Sequence, residues 1–204
     1  MFKFLCAVLA AFVMFIIGCT NNPEPAGDII VIPPVLEDTQ NSNEPFYPFI
    51  DYINNQLAYI DSTPFGIEKI LTINGKTIDS TYISKSELKK LAQQFILINP
   101  DDPSLKPYYL ESSFNDLTLN RLTFSITAQN AALPLQQADI LLNPENQMVK
   151  NVVLRKQVNY GDSSSMQHLV WVDKMHFQIS ETITKKDNNT FNRVTRVVWD
   201  KPLE

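Results

Sequence analysis

Apolar residues recur at helical spacing from Phe46 through Phe49, Ile50, Ile53 and Leu57 to Ile60. That spacing predicts an amphipathic helix with one buried face, ended by Pro64 and Gly66. Two strand-like runs follow, Ile67 to Ile73 and Lys76 to Ile83, joined by Asn74-Gly75. Both residues of that pair tolerate positive φ, so a tight β-hairpin is expected. Ser84-Lys85-Ser86-Glu87 has the form of a capping box and opens a second helix. Its buried stripe is Leu88, Leu91, Ala92, Phe95 and Ile96, and Asn99-Pro100 stops it.

After residue 106 the pattern is that of sheet, with strands expected near 107–116, 121–130, 137–142, 148–159, 166–172, 175–184 and 190–199. Turn chemistry separates them at Asn143-Pro144, Gly161-Asp162-Ser163 and Lys185 to Asn189. Long strands joined by short turns make an antiparallel meander, which twists and curls. The expected fold class is therefore α+β: two helices packed on one face of a curled, mainly antiparallel β-sheet. An N-terminal β-hairpin lies between the helices in sequence, and a C-terminal β-meander closes the chain.

One register follows from taking Asp173-Lys174 as a two-residue turn. It places Val170, Val172, Met175, Phe177 and Ile179 on the core face. Leu169, Trp171 and His176 then fall on the opposite face. An outward Trp171 beside Leu169 and His176 is a candidate binding face, since exposed tryptophans anchor many recognition surfaces. The alternative is that the tether, the first hairpin or a loop covers it. In this register His168 and His176 lie on opposite faces and share neither metal nor substrate.

The N-terminus changes the picture of where the domain works. Lys3 is followed by an uncharged, largely apolar stretch from Phe4 to Ile17 and then Gly18-Cys19. This is too short to span about 30 Å of hydrocarbon as a helix and reads as a secretory signal. Ile16-Ile17-Gly18-Cys19 resembles the bacterial lipobox. The resemblance implies a signal peptide over 1–18 and a diacylglyceryl group on Cys19, with Cys19 as the acylated first residue. Several acyl chains anchor a protein stably where one binds only marginally. Thr20 rather than Asp at the next position favours the outer membrane, by analogy with sorting in enteric bacteria.

Residues 19–45 hold the lipidated cysteine and a spacer rich in Pro and acidic residues, which favours extension. Ile29 to Ile32 interrupts it, either as a stray apolar patch or as a short strand pinned to the domain edge. A single domain is expected over 46–200, with a tail at 201–204.

Composition narrows the chemistry. With 44% hydrophobic and 19% charged residues, a folded core is expected. A net charge of −5 argues against a nucleic-acid surface. Two cysteines and two histidines do not build a zinc site of the usual spacing. Cys6 leaves with the signal and Cys19 is taken by lipid, so no disulfide is expected. There is no G-x-S-x-G, S-x-x-K, H-E-x-x-H or C-x-x-C motif. Asp101-Asp102 reads as a solvated loop pair between prolines. Lys185, Lys186, Arg193 and Arg196 form a mild basic patch at the last hairpin, suited to a protected edge or to anionic headgroups. No catalytic residue, metal or cofactor is assigned.

From Phe46 to Asp200 the chain resembles a group of uncharacterised lipoproteins from Bacteroidota. The residues that carry this are Asn74-Gly75-Lys76, Asp79-Ser80-Thr81, Tyr109 to Phe114, Leu169-Val170-Trp171, Phe177-Gln178-Ile179 and Val197 to Asp200. The resemblance implies an envelope compartment and no particular activity. Asp61-Ser62-Thr63 and Asp79-Ser80-Thr81 also resemble the short O-glycosylation signal of that phylum, making Ser62 and Ser80 candidate acceptors. The expectation is a non-enzymatic envelope lipoprotein that binds a partner protein or a glycan, or serves in assembly. The alternative is a carrier of lipid or another apolar ligand in a half-barrel-like cavity.

Overall fold

A computed structural model describes residues 44–199. The segments expected to be a signal peptide, the acylated Cys19 and a spacer with Ile29 to Ile32, together with Asp200 and the expected tail at 201–204, lie outside the described residues.

The first helix, α1 (Phe49–Ser62), begins three residues later than the apolar spacing suggests. Pro48 is the cause: a proline biases the residue before it, Tyr47, away from helical backbone. Phe49, Ile53, Gln56 and Ile60 make its buried stripe. Strands β1 (Glu68–Ile73) and β2 (Lys76–Tyr82) form the expected hairpin. Asn74 at φ 48° and Gly75 at φ 79° supply its turn.

Helix α2 (Lys85–Ile96) is capped by Ser84, whose Oγ accepts the Glu87 backbone N–H at 3.1 Å. The other half of the expected box is replaced by an ion pair, with Glu87 Oε1 accepting from Lys69 Nζ on β1 at 2.8 Å. Ser84→Ala is expected to cost about 1 kcal/mol in urea unfolding, with the slope unchanged.

The meander then runs through β3 (Tyr109–Asp116), β4 (Arg121–Ala128), β5 (Leu135–Leu142), β6 (Val149–Asn159), β7 (Ser163–Val172), β8 (His176–Lys185) and β9 (Thr190–Val198). The result is one open, fully antiparallel sheet of nine strands in the order β2-β1-β9-β8-β7-β6-β5-β4-β3. The early hairpin thus joins the meander through β1 and β9. The fold is α+β, with both helices on one face of the curled sheet.

The β7–β8 register differs from the two-residue turn. The connection is three residues, Asp173 to Met175, with Lys174 at φ 54° and Val172 opposite His176. Contacts from α1 hold it there. Tyr52 donates its hydroxyl to Asp173 Oδ1 at 2.7 Å, and Gln56 Oε1 accepts the Lys174 N–H at 3.1 Å. The extra residue turns β7 over relative to β8. Leu169 and Trp171 face the helices with Phe177 and Ile179, while Val170, Val172, His168 and His176 lie on the other face.

Trp171 and Leu169 are therefore core residues and not a binding face. Trp171 stacks on Phe177 at 5.2 Å between ring centres and meets Phe95 of α2 edge-on at 5.3 Å. Trp199 closes the cluster at 5.4 Å from Trp171. His176 is half-buried on the outer face, opposite Val172.

Candidate functional site

The strands β6 to β9 outrun the aromatic cluster, and the register shows what lies beyond it. On the helix-facing side, successive cross-strand rows read Val152, Trp171, Phe177, Val197 and then Leu154, Leu169, Ile179, Thr195. The next row reads Lys156, Gln167, Glu181, Arg193, one long polar side chain from each of four adjacent strands. The last reads Val158, Ser165, Ile183, Phe191. A polar belt thus crosses these four strands between an aromatic core and an outer, mostly apolar row.

The belt is buried: Lys156 is 7%, Gln167 5% and Glu181 6% exposed, and the adjoining Ser165 is 0% exposed. Burying charge is tolerated only with partners. Glu181 has two, accepting the Gln167 amide N–H at 2.9 Å on Oε1 and Arg193 Nε at 2.7 Å on Oε2. That pairing raises the Arg193 guanidinium further above its ordinary value. Lys156 donates to the Gln94 carbonyl near the end of α2 at 2.9 Å. Burial pushes its ammonium below its ordinary value, against the pull of Glu181.

Two buried polar atoms in this region, Ser165 Oγ and Gln167 Oε1, have no hydrogen-bond partner among the described residues. Donation to Glu181 fixes the Gln167 amide, so its unused oxygen is an acceptor awaiting a donor. At the rim, the Tyr160 hydroxyl sits 3.5 Å from Gln167 Nε2, and the residue is 56% exposed. Phe191 is half-buried with Lys185 Nζ 5.8 Å from its ring centre. Aromatic rims beside planar polar groups suit a ligand with apolar ring faces and hydroxyl edges.

The expected basic patch does not form as one surface. Arg193 faces the belt and pairs with a buried carboxylate, whereas Arg196 lies opposite Gln178 on the other face. Asp101 pairs with Lys106 at 2.8 Å, and Asp102 Oδ1 accepts from Ser104, which fits a loop role. Ser62 and Ser80 are both exposed. Ser62 Oγ donates to the Tyr59 carbonyl at 2.9 Å and Ser80 Oγ to Glu68 Oε1 at 2.7 Å. Among the described residues, no cluster of three or more His, Cys, Asp or Glu could hold a metal. No helix among them is long and apolar enough to cross a membrane.

Sequence reasoning missed Lys156, Gln167 and Glu181. The usable signal was phase: each stands where an apolar residue is due in Leu154-x-Lys156-x-Val158, Gln167-x-Leu169-x-Trp171 and Ile179-x-Glu181-x-Ile183. Aligning the three needs the correct β7–β8 loop length.

A separate carboxyl, Glu111 on β3, holds the entry to α1. Its Oε2 accepts the Tyr47 N–H at 2.6 Å, and burial lifts its pKa above the ordinary 4.5 despite that bond. Its contribution to stability is complete below the unfolded value and is lost as pH rises through the raised one. Glu111→Gln keeps an oxygen for Tyr47. Its melting temperature is expected to match wild type in acid and exceed it at neutral pH.

Comparisons with protein-family models, curated proteins and solved structures find no match to this chain.

Proposed function

We propose that this protein is a non-enzymatic, membrane-anchored envelope lipoprotein, held by acylated Cys19, that binds a glycan at the polar belt. The observation that carries the binding role is the pair of unpartnered buried atoms, Ser165 Oγ and Gln167 Oε1, beside half-exposed aromatic rings. A buried polar group without a partner costs about 1–3 kcal/mol. A ligand rich in hydroxyls supplies the missing partners, and Tyr160 and Phe191 supply surfaces for its ring faces.

The carrier alternative asks for an open apolar cavity between helices and sheet. The stacked rings of Trp171 and Phe177, with Phe95 and Trp199 each packed against both, fill space between α2 and the sheet, which favours the binding reading. The lipobox resemblance supports the anchor. Cys19→Ala is expected to move the protein from the membrane to the soluble fraction of the native host, and an unchanged distribution counts against anchoring.

Ser165→Ala separates function from stability. Removing an unpaired buried hydroxyl is expected to raise stability by about 1 kcal/mol. The same change is expected to weaken binding of full-length, detergent-solubilised protein to envelope glycans. A variant that is less stable, or that binds as wild type does, contradicts this role for Ser165.

A further inference from the structure

We propose that the glycan taken by the belt carries a carboxylate, an inference that rests on the binding reading above. The charge balance of the row motivates it. Lys156 and Arg193 are two cations against one carboxylate, Glu181, which is already bound on both oxygens. Among the described residues, Lys156 hydrogen-bonds a neutral carbonyl and shares the field of the single Glu181 carboxylate with Arg193. One further negative charge balances the row.

The shape of the free donors narrows the anion. Arg193 gives Nε to Glu181, and among the described residues its two terminal nitrogens form no hydrogen bond. Its side chain is 43% exposed. Two coplanar N–H groups match the two coplanar oxygens of a carboxylate. A phosphate monoester brings about −1.5 to −2 charges, more than the row lacks. The hydroxyls of the same sugar reach toward Gln167 Oε1 and Ser165 Oγ, and Tyr160 offers a ring at the rim. A carboxylated sugar thus answers the unmatched charge and the unmatched hydrogen bonds together.

The test is a glycan array bearing uronate-containing, sialylated, phosphorylated, sulfated and neutral sugars, probed with the full chain in detergent. Carboxylated members are expected to bind about tenfold tighter than their neutral counterparts, with the preference shrinking as salt rises. Arg193→Lys keeps the charge beside Glu181 but loses the fork. It is expected to lower carboxylate binding about tenfold while its melting curve stays near that of wild type.

Equal binding of neutral and carboxylated members overturns the carboxylate and leaves the glycan reading standing. A preference for phosphorylated or sulfated members overturns it as well. Arg193→Lys that binds as wild type removes the fork from the site. No binding to any member overturns both this inference and the glycan reading.

Discussion

Trp171→Ala is expected to lower unfolding free energy by about 3–5 kcal/mol, enough to leave a marginal domain largely unfolded. Trp171 is fully buried and contacts Phe95, Phe177 and Trp199, so truncation opens a cavity at the meeting point of α2, β7, β8 and the chain after β9. Partial collapse around that cavity is limited because Phe177 is fixed by strand pairing and the Trp199 N–H donates to the Met175 carbonyl at 3.2 Å. Trp171→Phe is expected to cost distinctly less, since it keeps an aromatic ring and removes a buried indole N–H that has no partner among the described residues. Urea unfolding followed by far-UV circular dichroism reads both. A Trp171→Ala protein with the wild-type midpoint would show that β7 faces the other way.

The second large effect is at the belt. Arg193→Ala leaves the buried Glu181 carboxylate with Gln167 as its one remaining hydrogen-bond donor among the described residues. Loss of a hydrogen bond to a charged group costs about 1.5–3 kcal/mol. Arg193 is partly exposed, which places the expected cost toward the lower end of that range. Glu181→Leu in the same background removes the stranded carboxylate. The double variant is therefore expected to recover much of the loss, a coupling that a double-mutant cycle measures directly. Additive costs would mean that the two side chains do not interact in solution.

The parts of this fold legible in the sequence are those whose causes are local. Ser84 caps α2 and Asn74-Gly75 turns the first hairpin because each needs only its neighbours. The strands of the meander fall within a few residues of where alternation and turn residues put them. The β7–β8 register was not legible, for a physical reason. Leu169-Val170-Trp171-Val172 is apolar on both faces, so alternation alone cannot choose between them. Tyr52 and Gln56, more than a hundred residues earlier, decide it by fixing Asp173 and Lys174.

The candidate site was illegible for a related reason. Its four belt residues come from four strands and share no motif; only the register brings Lys156, Gln167, Glu181 and Arg193 into one row. Sequence proximity groups Arg193 with Lys185, Lys186 and Arg196. Strand alternation sends Arg193 and Arg196 to opposite faces. A tryptophan next to a leucine has the sequence form of a surface anchor, while a glutamine and a serine in the same strand carry the unmatched hydrogen-bonding capacity among the described residues.

Native mass spectrometry of the full-length protein, incubated with glycans released from the host envelope and freed from detergent in the instrument, tests the central claim most directly. Wild type is expected to retain a saccharide mass that Ser165→Ala loses, with both proteins equally folded by ion mobility. A bare protein mass for wild type under the same conditions would contradict glycan binding at the belt.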